Sequence, residues 1–171
     1  GDLELKAGKT LQLYRHSLFE ATRVILVGVG NGSARQVRQA VASAVGAAKA
    51  GNVKKVLISL ALLDSSTTGS LGGLVRAVVN ATAEASYVYT HTKSKSDVRK
   101  LRSVTLGVPD AGAVRTDFSF ATALVTGVEL AKEWGNRPAN YATPTMLGEA
   151  AKALSKQASI SCDVLGPKQV A

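Results

Sequence analysis

The run Arg23-Val24-Ile25-Leu26-Val27-Gly28-Val29, followed at once by Gly30-Asn31-Gly32, constrains the fold most. An aliphatic run without polar alternation suits a strand covered on both faces. The glycines then turn the chain, and Ser33 with Gln36 has the spacing of a capping box. Val37, Ala40, Val41, Ala44, Val45 and Ala48 recur at helical spacing, and Gly51 is the expected C-terminal cap. Residues 53–60 return as a strand, with Lys54 and Lys55 at its start. Strand, capped helix and strand predict a βαβ unit with parallel strands and a right-handed crossover.

Around this unit the chain keeps alternating. Thr10–Tyr14 reads as a half-buried strand, with Leu11 and Leu13 between polar neighbours. Residues 64–73 are a polar, glycine-rich loop that includes Ser65-Ser66-Thr67-Thr68. Leu74, Ala77, Val78 and Ala81 mark a helix reaching about Ala85, and Tyr87–Tyr89 reads as a short strand. Ser103–Val108 is another strand, closed by Pro109-Asp110. Asp117 is placed to cap a helix from Phe118 to Trp134, with Ala121, Leu124, Val125, Val128 and Ala131 on its stripe and Gly135 at its end. After a break, Thr143 as N-cap and Pro144 as first helical residue start a further helix, carrying Met146, Leu147, Ala150, Ala151 and Leu154 on one face. Ser159–Leu165 reads as a last strand.

Composition bounds the class. With 171 residues and 46% hydrophobic content, the chain can bury a core without disulfide or metal. Aromatics are only 5%, too few for a surface that stacks on single-stranded nucleic acid. Cys162 is the only cysteine, which excludes an internal disulfide, favours a reducing compartment and reads as a small core residue. No apolar run approaches the length of a membrane span, ~18 residues. Gly1-Asp2-Leu3-Glu4 has neither a basic start nor an apolar centre, so the start reads as clipped or processed and the chain as a piece of a longer protein.

Lys and Arg number 21 against 12 Asp and Glu, a net charge of +9. Such an excess favours an anionic partner, although scattered charges also occur on ordinary basic proteins. The densest segment is Lys93, Lys95, Arg99, Lys100 and Arg102, set against Asp97 alone. Those cations could follow a phosphate backbone, or equally form a solvated loop or a protected sheet edge. The turn Gly28–Ser33 stands where phosphates bind strand-to-helix turns. Its spacing is G-x-G-x-G, however, and Asn52 to Lys55 replace the acidic residue of a dinucleotide site. His16 and His91 lack companions at metal-binding spacing, and no H-E-x-x-H, C-x-x-C, G-x-S-x-G or P-loop pattern appears. The residues themselves show no constellation for nucleophilic or metal-assisted chemistry.

The break between the last two long helices carries a more specific signal. Residues 127–144 end in Asn136, Pro138, Asn140, Thr143 and Pro144, spaced as N-x-P-x-N-x-x-T-P. This stretch resembles the interdomain segment of the leucyl (cytosol) aminopeptidase family. The order of elements from Arg23 to Val108, and Cys162-Asp163-Val164-Leu165-Gly166 downstream, agree with it. The resemblance implies a three-layer, macrodomain-like α/β sandwich with a mixed, mostly parallel sheet, followed by a connecting helix. Residues 1–115 would form that N-terminal domain, and residues 116–171 the connecting helix and the first elements of a catalytic domain.

The resemblance further implies a cytoplasmic parent that removes N-terminal residues, often leucine, from peptides. It would use two divalent metals, manganese or zinc, and assemble as a hexamer. The family's metal and catalytic motifs do not occur here, so no catalytic or metal residue transfers to any position of this chain. The partners implied are its own catalytic domain, further copies and, as in some bacterial members, DNA; no membrane is implied.

Overall fold

The structure is a computed structural model and describes residues 4–61, 70–95, 98–157 and 159–170. The Ser65–Thr68 run and Asp97 lie outside them. Strands β1 (Thr10–Tyr14) and β2 (Arg23–Val27) lead into helix α1 (Ala34–Ala50) and strand β3 (Lys55–Ser59). Helix α2 (Leu71–Ser86), strand β4 (Ser103–Gly107) and the long helix α3 (Arg115–Gly135) follow. A 3-10 turn (Ala139–Tyr141), helix α4 (Pro144–Ser155) and a short helix α5 (Pro167–Val170) complete the order. The fold is mixed α/β, as the alternation of periods predicts.

β1 and β2 form an antiparallel hairpin running from Thr10↔Val27 to Tyr14↔Arg23. β3 and β4 are parallel, running from Lys55↔Ser103 to Ser59↔Gly107. The expected parallel partnership of β2 with β3 is therefore replaced. β2 pairs with its sequence neighbour β1, and β3 pairs with β4 across α2. Periodicity identifies a strand, whereas its partner depends on which edges meet; a hairpin closes over a short loop at little entropic cost. β2 is also only half-buried along its length, unlike the fully covered strand its composition suggests.

The core lies between α1, α2 and the inner face of β3–β4. Val37, Val41 and Val45 of α1 meet Leu74, Val75 and Val78 of α2, with Val56, Ile58, Val104 and Leu106 of the strands packed against them. Val75 and Val78 are both 0% exposed. On the opposite face of the parallel pair, Leu57 is 68% exposed. Among the described residues, helices thus cover one face of this sheet.

Helix ends follow local chemistry with two substitutions of detail. Ser33 holds the N-cap position of α1, but its side chain makes no capping bond. Gln36 Oε1 instead accepts from Asn31 N (2.7 Å), and Asn31 Oδ1 accepts from Ser33 N (3.0 Å), so the box has moved two residues upstream. Val114, not Asp117, occupies the N-cap position of α3. Asp117 lies in the first turn, where its charge still favours the helix dipole, and it pairs with Arg76 Nε of α2 at 3.3 Å. Thr143 caps α4 as expected, its hydroxyl accepting from Met146 N, with Pro144 as the first helical residue.

Two expected strands are absent from the ladders. Among the described residues Tyr87–Tyr89 has no ladder partner, and Tyr87 turns to α3: its hydroxyl donates to Glu133 at 3.0 Å, and Lys132 Nζ lies 5.1 Å from its ring centroid. Ser159–Leu165 joins no sheet among the described residues, and Cys162 is half-buried in irregular chain rather than in a core strand. A segment with strand composition needs a neighbouring edge for its backbone groups.

The closed seam between α1 and α2 sets an expected mutational contrast. Val78→Ala should destabilise the chain by about 2 kcal/mol. Leu57→Ala on the open face should change stability by less than about 0.5 kcal/mol. Urea unfolding followed by circular dichroism measures both.

Candidate functional site

Three candidate regions emerge from the sequence, and the structure treats them differently. At the Gly28–Ser33 turn the N-terminal segment lies across the glycines. Gly28 N donates to Lys9 O, Gly30 N to Leu5 O and Gly32 N to Val29 O. Asn31 N and Ser33 N are taken by Gln36 and Asn31 side chains. A Cβ on Gly28 would strike the carbonyls of Lys6 and Glu4, and Gly30 and Gly32 adopt left-handed φ of 59° and 74°. The glycines therefore serve close backbone packing and a tight turn. The amides of Gly28 and of Gly30 through Ser33 are thus already bonded within the chain.

The basic segment divides into pinned and open members. Arg99 Nη2 donates to Glu129 Oε1 at 2.8 Å and to Ser86 Oγ at 2.8 Å, tying the segment to α3 and α2. Both members of this ion pair are partly exposed, so its net worth is modest, about 1 kcal/mol or less. Its geometric effect is larger: the Arg99 charge is committed to a carboxylate. Lys93, Lys95, Lys100 and Arg102 are exposed. Arg102 N and Ser103 N both donate to Lys54 O, at 2.8 and 3.2 Å. The parallel register then sets Lys55 opposite Ser103. Lys54 and Lys55 thus join Lys100 and Arg102 at one end of the sheet. The lysine pair at the start of β3 was the visible signal, but only strand pairing brings it here.

The stretch from Asn136 to Pro144 is built around aromatic contacts and caps. Asn136 is the C-cap of α3, its Nδ2 donating to Lys132 O at 2.8 Å. Arg137 stacks on Trp134, with Cζ 3.9 Å from the ring centroid. Pro138 precedes the 3-10 turn that contains Asn140, and Thr143 with Pro144 starts α4. His91 meets Tyr141 edge-on at 6.1 Å, linking the segment after α2 to this turn. Glu129 and Glu133, one turn apart on α3, therefore anchor Arg99 and Tyr87, roles that helical periodicity alone does not disclose.

Among the described residues, no group of three or more His, Cys, Asp or Glu comes together in a way that could hold a metal ion. Of the described helices, none is long and apolar enough to cross a membrane.

Residues 1–96 match the N-terminal domain model of the cytosol aminopeptidase family. The chain belongs to that family. A probable cytosol aminopeptidase of Albidiferax ferrireducens is 50% identical over 170 residues, covering 99% of this chain and 34% of the relative. One from Burkholderia cenocepacia is 37% identical over 177 residues, covering 99% of this chain and 35% of the relative. The chain thus spans about a third of the length of these curated relatives. Among solved structures, a tomato leucine aminopeptidase variant superposes with a TM-score of 0.78 at 24% identity, over 96% of this chain and 33% of that one. The bottromycin maturation enzyme BotP, also described in complex with Mn, superposes at 0.77 with 24% identity over 93% of this chain and 33% of that one. These structures share the fold.

Tyr87 carries a pH dependence. Its phenol is pushed above the ordinary value of 10.0, by partial burial first and then by the Glu133 carboxylate that accepts its hydrogen bond, with Asn136 acting in the opposite sense. A raised native value means that the folded chain holds this proton more tightly than the unfolded chain. The associated stability is complete below the unfolded tyrosine value and is lost as pH rises through the folded one. Thermal melts above about pH 10 should therefore fall less steeply for Tyr87→Phe than for the parent sequence.

Proposed function

We propose that this chain is the N-terminal packing and assembly region of a cytoplasmic leucyl aminopeptidase-like protein, whose whole form removes N-terminal residues from peptides. Residues 1–115 are the α/β domain, and residues 116–171 are the connecting helix and the opening elements of the catalytic domain. The whole protein would use two divalent metals, manganese or zinc, to supply Lewis-acid chemistry for peptide hydrolysis. Among the described residues of this chain, no group of three or more His, Cys, Asp or Glu comes together to hold such metals. Its partners are its own catalytic domain and further copies in a hexamer.

The observation that carries this reading is the apolar surface of the last third of the chain. Phe120 on α3 is 57% exposed and Leu165 beyond α4 is 58% exposed; Leu124 and Leu147 are also open. α4 contains no buried residue. A capped amphipathic helix with an open apolar face is built to pack on further protein. The purified chain should not hydrolyse leucine p-nitroanilide in the presence of manganese. Metal-dependent turnover by these residues alone would sink the reading.

A second reading, binding of nucleic acid through phosphate contacts, is favoured by one observation: the structure brings Lys54 and Lys55 beside Lys100 and Arg102. Duplex DNA should bind at low salt and release steeply as salt rises. Lys95→Glu, Lys100→Glu and Arg102→Glu in combination should abolish binding, whereas Arg99→Ala should change affinity less than about twofold because its charge is already paired. Fluorescence anisotropy measures these affinities, and absence of binding at low salt removes the reading.

A further inference from the structure

A cleft of about 490 Å³ lies between α2, the chain leading into β4, and α3. Its size falls within the roughly 300–1,000 Å³ of small-molecule sites. Val79, Val104, Leu106, Phe118 and Val125 form apolar walls, and Arg99 and Arg102 also line it. Charge around the cleft is uneven. Arg99 is neutralised by Glu129, whereas Arg102 lies beside Lys54, whose carbonyl receives its amide. The Arg102 side therefore has a positive local field.

Thr82 of α2 adds an unusual feature. It lines the cleft and is 7% exposed, yet its hydroxyl has no hydrogen-bond partner among the described residues. Helical threonines commonly bond back to the preceding turn. Thr122 and Thr126 of α3 do so, each reaching the carbonyl four residues earlier at 3.1 Å. Thr82 forgoes that bond, and a buried hydroxyl left unpaired is destabilising.

We propose that this cleft binds a small amphiphilic carboxylate, with its aliphatic part between α2 and α3. The carboxylate lies towards Arg102, and Thr82 turns to hydrogen-bond the ligand. A polyphosphate would leave the apolar walls unused, and a neutral hydrocarbon would leave the guanidinium and hydroxyl unused. The inference stands apart from the peptidase reading, because it rests on residues of this chain alone.

The test is a titration of the 171-residue chain with 4-methylpentanoate, and separately with 4-methylpentan-1-ol, followed by amide shifts in two-dimensional NMR. Saturable shifts should centre on Thr82, Ser86, Val104 and Thr122, and the carboxylate should bind about tenfold more tightly than the alcohol. Arg102→Gln, at an exposed position, should remove that preference while leaving the spectrum otherwise unchanged. Thr82→Val should weaken carboxylate binding about fivefold while raising the melting temperature of the free chain. The proposal is overturned by any of three results: no saturable shift up to about 10 mM ligand, equal binding of acid and alcohol, or unchanged carboxylate affinity in Arg102→Gln.

Discussion

The contact between α1 and α2 is the constraint on which the rest depends. Val37, Val41 and Val45 face Val75 and Val78 in a seam closed to water, with Ala40, Ala48, Ala77 and Ala81 buried on the same helices. Short side chains let the helices approach, and β-branched valines fill the interface with little rotamer freedom to lose. α2 serves two neighbours besides α1. Its apolar residues receive the inner face of β3–β4, and it packs along α3. Gly72 permits that approach, since a Cβ there would meet the Asp117 carboxylate. Displacing α2 would therefore disturb the sheet and α3 together.

A second set of interactions joins the irregular chain after α2 to α3. Tyr87 reaches Glu133, Arg99 reaches Glu129, and His91 meets Tyr141 just beyond the helix. None is strong alone, because each lies at least partly in water. Their combined effect is geometric. They fasten the segment carrying the basic residues to α3 and the turn that follows it. They also sort its cations: Arg99 becomes a structural tie, while Lys100 and Arg102 stay available beside Lys54 and Lys55.

The relation between sequence and structure differs from site to site. Amphipathic period located α1, α2 and α3 well, because a helix satisfies its own backbone and only its face needs a partner. Thr143-Pro144 marked the start of α4 for the same local reason. The strands were less legible. Val24 to Val27 plainly forms a strand, but its composition does not say that β1 rather than β3 lies alongside. Tyr87–Tyr89 has strand composition and instead packs on α3, where a carboxylate satisfies the phenol. The glycine turn resembles an anion site in spacing, but the N-terminal segment takes the amides of Gly28 and Gly30, and groups within the turn and Gln36 take those of Asn31, Gly32 and Ser33.

The sequence by itself determined the α/β class, the buried faces of α1 and α2, the Thr143 cap of α4 and the residue pattern from Asn136 to Pro144. These rest on contacts within a few residues of each other, where local chemistry suffices. Only the tertiary structure decided strand partners, the commitment of Arg99, the meeting of Lys54 and Lys55 with Lys100 and Arg102, and the cleft beside Thr82. Each depends on groups dozens of residues apart, whose meeting is set by helix packing and strand register rather than by neighbouring residues.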